Sequence, residues 1–314
     1  MTNKLSVVVT TSNRYTDLLS CIDSILTSDF HDIFWELIIV DDASSDKTAT
    51  LSENTFANKA VSLTKVKIVH LSERVMMVKA RNIGLAESSG EYILFVDDDN
   101  IVDKNLIVTL IGFVKTHKDA GIVGPAMYYR DGTKYMDYQK INLYTGKTSG
   151  IVCKSQGDGF FESDGIPNVF MITSAVKEKC GSFDETLMQT FTEPDYSFTA
   201  KKFGYRTYIV TSAHTYHQID KKDLITSKML GGKFAQKAYC LMRNRTIIEA
   251  RYGSTLQKTI YLVFFSWFWP LIYSLLMLRE GRFDLIKLYW LGWYDGLIYF
   301  FSGKVILSAR LKIE

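Results

Sequence analysis

Over the first 125 residues two hydrophobic periods alternate, and that alternation restricts the fold more than any other feature of the chain. Short runs rich in Val, Ile and Leu, at 5–10, 36–41, 66–70, 92–96 and 121–124, read as strands. Between them, Leu18, Leu19, Ile22, Ile25 and Leu26 share one helical face, and Ile107, Leu110, Ile111 and Val114 share another. Strand–helix–strand alternation predicts parallel strands joined by right-handed crossovers. In such sheets ligands bind beyond the carboxyl ends of the strands, so the residues just past each run are where chemistry is to be sought. The pattern weakens over 128–169 into glycines, tyrosines and lysines, which predicts longer loops or a small antiparallel element. It resumes with a strand at 169–173 and a helix at 196–203 that Gly204 ends.

Asp97-Asp98-Asp99-Asn100 follows the run YILFV directly. Three adjacent carboxylates repel one another, and stacking them at a strand end is costly unless a cation is present. Mg²⁺ or Mn²⁺ would meet that need and would also neutralise a diphosphate. Alternation puts Asp97 and Asp99 on one side of an extended chain, where the pair can share one metal or one metal–nucleotide complex. Helix capping by Asp97 or Asp99 is the competing reading. Asp41-Asp42-Ala43-Ser44 follows ELIIV in the same manner, and an Asp so placed accepts from a ribose or a base N–H, or caps a helix. Thr10-Thr11-Ser12-Asn13-Arg14 after the first run adds hydroxyls and an amide. Three polar strand ends on one side of one sheet are harder to explain as three independent caps.

These residues carry a resemblance. VVVTTSNRYTDLLSCIDSIL, ELIIVDDASSDKT and ARNIGLAESSGEYILFVDDDN resemble the family 2 inverting glycosyltransferases, and VFMITSAVKEKCGSFDETL and TEPDYSFTAKKFGYR resemble later segments of that family. The likeness runs with gaps from about Leu5 to Tyr216. It implies an α/β fold of the GT-A type, a Rossmann-like mixed sheet with a nucleotide-binding half. It implies that Thr10 and Asp42 contact the nucleotide base, Asp97 or Asp98 the ribose side, and Arg81 a phosphate. Asp99, with Asp97 and His217, would hold the metal. Glu193 falls where the family places its catalytic base, but the family often shows E-D-x-D where this chain has Thr192-Glu193-Pro194-Asp195. Either Glu193 or Asp195 then takes the proton. Independently of the family, sugar transfer with inversion needs one carboxylate to deprotonate the acceptor hydroxyl. Pro194 beside Glu193 suits the first turn of a helix, where an acid is also favoured for its own sake.

The last quarter changes character. Twelve Lys/Arg stand against three acids from 199 to 258, a local charge of +9 that leaves the rest of the chain at −6 against a total of +3. That total is too small to argue for nucleic acid. Residues 260–278 follow without a charge, near the ~20 residues a membrane helix needs, and Trp267, Trp269 and Tyr273 suit an interface. A basic belt before an aromatic apolar stretch predicts attachment to an anionic cytoplasmic leaflet. The stretch 285–301 carries Lys287 and Asp295 and reads as an interfacial helix. Whether 260–278 crosses the bilayer or lies in its plane, kinked at Pro270, stays open. The organisation expected is a glycosyltransferase domain at 1–220, a basic helical linker at 221–258 and membrane-associated helices at 259–314. No secretory signal is visible, and Cys21, Cys153, Cys180 and Cys240 lack metal spacing and read as reduced thiols.

The function expected is metal-dependent transfer of a sugar from a nucleotide-diphosphate sugar to a lipid-linked or membrane-proximal glycan, with the catalytic domain on the cytoplasmic face of the cell membrane. A polyprenyl-phosphate acceptor is compatible with the same tail. A nucleotidyltransferase would use the same carboxylates, but TTSNRYTD has no glycine to cradle a triphosphate. An inactive membrane-tethering protein on the same fold is the remaining alternative.

Overall fold

In a computed structural model, which describes residues 4–153, 159–219 and 235–306, the N-terminal apolar runs become the parallel half of one large mixed sheet. In chain order the elements are β1 (Leu5–Thr11), α1 (Tyr15–Leu26), β2 (Trp35–Asp41), β3 (Leu63–His70), α2 (Met76–Glu87), β4 (Tyr92–Asp97), β5 (Asn100–Val102), α3 (Leu106–Thr116) and β6 (Ala120–Tyr129). Then come β7 (Lys134–Met136), β8 (Tyr138–Asn142), β9 (Lys147–Ile151), β10 (Phe160–Glu162), β11 (Val169–Thr173), α4 (Ser174–Cys180), α5 (Thr192–Lys202) and β12 (Arg206–His217). The helices α6 (Ala235–Tyr252), α7 (Thr255–Ile260), α8 (Phe268–Arg279) and α9 (Phe283–Ser302) follow.

The main sheet runs β10-β12-β6-β11-β4-β1-β2-β3. β3, β2, β1 and β4 are mutually parallel, and β11 pairs antiparallel to β4. The chain therefore steps outward from β1 to β3 and returns to the other side of β1 at β4. The carboxyl ends of β1 and β4 flank the point where strand order reverses, the place where open α/β sheets form their binding crevice. Both faces of this half are covered, which is why its strands read as unbroken apolar runs. Leu5, Val7 and Val9 pack with Leu18, Ile22 and Ile25 on one side. On the other, Val8, Ile38, Phe95 and Phe170 pack with Val78, Leu85, Phe183 and Tyr196.

The weakly patterned stretch holds the end of β6, the short β7 and β10, and the separate hairpin β8–β9, so the small antiparallel alternative is the one realised. α5 begins four residues before the predicted start. Thr192, Glu193 and Pro194 form its first turn, where a proline's missing N–H has no helical partner to disappoint. Gly204 ends it with φ +86°, the left-handed region that a glycine enters without strain.

The chain forms two compact units: Met1–Lys140, Gly150–Phe183 and Tyr196–Ile219 make the first, and Ile141–Ser149, Asp184–Asp195 and Asp220–Glu314 the second. In the second, α6 and α9 cross closely, since a Cβ added at Gly292 would lie 2.2 Å from the Tyr239 carbonyl oxygen. α7 passes through a wide turn at Tyr261–Phe265 into α8, and this run, Thr255–Arg279, is long and apolar enough to cross a membrane. Only 28% of its most apolar stretch is buried. Val263, Phe264, Trp267, Leu271, Leu275 and Leu278 stay exposed along it.

One expectation for this region needs correction. Arg243 and Arg245 are buried and Arg251 nearly so, so these members of the basic run do not face a leaflet. Their guanidiniums go to backbone carbonyls and carboxylates inside the helical unit, because buried acceptors left without a donor are costly. Lys221, Lys222, Lys228 and Lys233 of the same run lie outside the described residues. α9, read as interfacial, buries Leu285, Tyr289, Gly292, Asp295 and Gly296, and Asp295 accepts from the Tyr239 hydroxyl at 2.6 Å. All four cysteines are free thiols, Cys21 and Cys240 buried, Cys153 and Cys180 only partly so.

Candidate functional site

At the carboxyl ends of β1 and β4 three carboxylates meet two guanidiniums. Asp98 is buried and accepts from the Thr11 hydroxyl at 2.8 Å. Arg14 Nη1 lies 2.8 Å from both Asp98 Oδ1 and Asp99 Oδ2, bridging neighbours that would otherwise repel. Arg81, on α2, is 3% exposed and donates to Asp97 Oδ1 at 2.7 Å, its guanidinium also lying over the Phe170 ring. Asn100 donates to Asp99 Oδ1 at 2.9 Å. Burial pushes the Asp98 carboxyl up to about 6, against the pull of Arg14. At Asp99 burial acts in the same sense but is outweighed by His217 and Arg14, which hold that carboxyl at about 2.

His217 reaches this cluster by strand pairing. β5, which begins at Asn100, pairs antiparallel with the end of β12, setting His217 opposite Asn100. His217 Nε2 comes to 3.2 Å from Asp99 Oδ2, while its buried Nδ1 meets no hydrogen-bond partner among the described residues. That separation is the hydrogen bond the two side chains make, and Arg14 Nη1 lies 2.8 Å from the same oxygen, so a divalent cation held by this pair would displace both contacts. No group of three or more His, Cys, Asp or Glu side chains converges among the described residues. A cation here would take its remaining ligands from substrate and water, as Mg²⁺ commonly does.

Asp42 is buried, and both its oxygens accept backbone N–H groups, of Val75 at 2.6 Å and Met76 at 2.9 Å. It thereby fixes the entry to α2, where Met76 has φ +71°. A base N–H would have to share an oxygen already in use. Thr10, half-buried, faces the opposite side of β1 from Thr11. The loops after β1 and β2 are laced together, since Asn13 Oδ1 accepts from Ser45 N at 2.7 Å and Asn13 N donates to Ser44 Oγ at 2.8 Å.

In the second unit Glu193 is half-buried and accepts from its neighbour Thr192 Oγ1 at 2.8 Å. Asp195 is buried, with Arg251 Nη1 at 2.8 Å and the Tyr252 hydroxyl at 2.8 Å on the same oxygen. Thus Arg14 joins Asp98, Asp99 and His217 in one group and Arg81 pairs with Asp97 beside it, Asn100 linking the two through the Asp97 carbonyl at 3.3 Å, while Asp42 holds a neighbouring loop.

Arg14, Thr11 and Asn100 are the members that reading the residues in order misses. Arg14 is the only cation in the loop after β1, and the repulsion among Asp97, Asp98 and Asp99 already called for one. A divalent cation is the expectation that this repulsion raises. The structure meets it in large part with protein cations, so charge balance alone does not require an ion.

The family model for glycosyl transferase family 2 matches residues 6–171, just over half of the chain. The glycosyltransferase GlyG of Streptococcus pneumoniae serotype 4 is 33% identical over 123 residues, 39% of this chain and 38% of that protein. The chain thus spans about two fifths of that relative's length. The structure of the mannosyltransferase PcManGT from Pyrobaculum calidifontis, in complex with GDP-Man and Mn²⁺, superposes with a TM-score of 0.61 at 15% identity, covering 96% of this chain and 88% of that one. Residues 1–349 of Staphylococcus aureus TarS, in complex with UDP-GlcNAc, superpose with a TM-score of 0.52 at 17% identity, covering 99% and 96%.

Proposed function

The chain belongs to glycosyl transferase family 2 and has the GT-A fold, and on that footing we propose that it transfers a sugar, with inversion, from a nucleoside-diphosphate sugar to a glycan hydroxyl held at a membrane. The observation that carries this reading is the Asp97–Asp98–Asp99 network with Arg14, Arg81 and His217 at the strand-order reversal. Asp99 and His217 would hold Mg²⁺ or Mn²⁺, which supplies positive charge to the departing diphosphate. Asp97 is the most exposed of the three carboxylates and faces the ribose side, its charge kept in place by Arg81. Asp98 is a support: bonded to Thr11 and Arg14, it holds the β1 loop against β4. Thr10 and Asp42 border the nucleotide base, Asp42 chiefly by shaping the loop at Val75 and Met76.

Of the two candidate bases, Glu193 fits better. Asp195 is committed to Arg251 and Tyr252, and protonating it would leave a buried guanidinium uncompensated on that side. Glu193 is partly open and deprotonates the acceptor oxygen as it attacks the anomeric carbon opposite the departing diphosphate. The two solved relatives named above hold different nucleotides, so the base is decided by experiment. The apolar face from Val263 to Leu278 supports attachment to a membrane, and with it an acceptor presented there, either a lipid-linked glycan or a polyprenyl phosphate.

The test is thermal shift of the full chain against UDP, GDP and CDP, each with and without Mn²⁺, since a ligand of the native state raises the midpoint by mass action. The expected result is a Mn²⁺-dependent shift for one nucleotide that Asp99→Asn abolishes. No shift with any nucleotide would reduce the carboxylates to anchors for Arg14 and Arg81 and remove the transferase reading.

A further inference from the structure

We propose that Arg251 and Tyr252, at the end of α6, are positioning residues that hold the general base in its working orientation. They act through Asp195 on Glu193, two residues earlier in the same helical turn; the inference rests on the reading of Glu193 as the base. Arg251 uses its whole guanidinium for this. Nη1 donates to Asp195 Oδ1 at 2.8 Å, Nη2 lies 2.7 Å from Asp184 Oδ2, and Nε donates to the Tyr299 hydroxyl at 2.9 Å. The Tyr252 hydroxyl is 2.8 Å from the same Asp195 oxygen and 3.1 Å from the Asp195 carbonyl. Asp184 and Asp195 bound the segment Asp184–Asp195, so one arginine ties both of its ends.

The same helix grips the middle of that segment. Asn244 lies two turns before Arg251 and therefore on the same stripe of α6. Its Nδ2 donates to the carbonyls of Leu187 at 2.6 Å and Thr190 at 2.7 Å, and Arg243 donates to that of Thr186. Such a grip has a purpose in the backbone it holds. Met188 has φ +62° and Phe191 φ +65°, left-handed conformations that a side chain makes unfavourable. Strain of this kind persists only where the surroundings over-determine it, and it gathers at functional positions. Arg251, Tyr252 and Asn244 thus fix the backbone on both sides of the strained residues, and with it the turn from which the Glu193 side chain projects.

The experiment is a double-mutant cycle read by nucleoside diphosphate release from UDP-GlcNAc, UDP-glucose, UDP-galactose and GDP-mannose. A displacement of about 1 Å at a reacting group lowers a rate by about 100-fold, so Arg251→Lys is expected to lower kcat by roughly 10- to 100-fold with KM for the donor within about twofold. In the Glu193→Gln background the same change should alter the residual rate by less than about twofold, because no base is left to misplace. A far-UV circular dichroism spectrum and a single cooperative melt matching those of the parent chain show that the variant is folded. If Arg251→Lys does not fold, Tyr252→Phe takes its place in the cycle. Equal losses in both backgrounds, or an unchanged kcat in Arg251→Lys, would overturn the positioning role while leaving Glu193 as base. An unchanged rate in Glu193→Gln would instead remove the base assignment itself.

Discussion

Glu249 should make the protein less stable as pH rises, and the size of the effect follows from where its carboxyl sits. The side chain is fully buried on α6, and neither carboxyl oxygen meets a hydrogen-bond partner among the described residues. Burial pushes the acid from 4.5 up to about 8, with the Arg245 charge pulling the other way. The fold therefore keeps a proton that the unfolded chain gives up. Below pH 4.5 both states are neutral and nothing is lost; between 4.5 and about 8 the unfolded state ionises first and stability falls; above that the loss is complete. At about 1.4 kcal/mol per pH unit, the loss is about 3 kcal/mol at pH 7 and about 5 kcal/mol at its limit. Glu249→Gln keeps the shape and polarity of the neutral acid and removes only the ionisation. Thermal melts of both proteins from pH 4.5 to 9 should coincide at the acid end and separate by roughly 6 °C at pH 7, at about 2 °C per kcal/mol for a chain of this size. Melting curves offset by the same amount at every pH, or not offset at all, would mean that the folded acid is ionised, and the reasoning from burial would be wrong.

Other residues make sharper or smaller claims. Arg81→Met leaves Asp97 without its guanidinium and should lower stability by about 3 kcal/mol in urea titration, a loss that Asp97→Asn in the same chain largely restores. Gly292→Ala should cost about 3 kcal/mol, because the new methyl meets backbone rather than a movable side chain, whereas Gly112→Ala in α3 has open space around it and should raise the melting midpoint slightly. The Asp41 hydrogen bond raises the pKa of His70, so the contact stabilises fully below the unfolded value near 6.5 and fades as pH climbs through the raised folded value. His70→Asn should therefore lower the midpoint more at pH 5.5 than at pH 8.5.

The parallel half of the sheet was legible because burial on both faces forces continuous apolar runs, and the strand ends then announce themselves as Asp42 and Asp97. What could not be read is contact made by the turn of a loop. Arg14 swings from the end of β1 onto Asp98 and Asp99, a partnership that depends on the backbone at Asn13, φ +54°, rather than on spacing. The RNR run shows the same limit from the other side. Its charge is visible, but whether a guanidinium meets water or the carbonyls of Thr186 and Gly146 is decided by packing. Glu193 and Asp195 look interchangeable on paper, and that Arg251 and Tyr252 both bind Asp195 is visible only in the fold.

The grouping of Asp184–Asp195 with α6–α9 bears on how such a protein can be rebuilt. The carboxylate-bearing ends of β1 and β4 and the peptide that bears the proposed base belong to different compact units, although the chain passes through them alternately. On the proposed reading, a protein shortened after β12 would keep Asp97, Asp98 and Asp99 and lose Arg251, so nucleotide binding and turnover would part. On the same reading, exchange of the helical part alone would change the setting of the base and leave the carboxylates at the strand ends as they are.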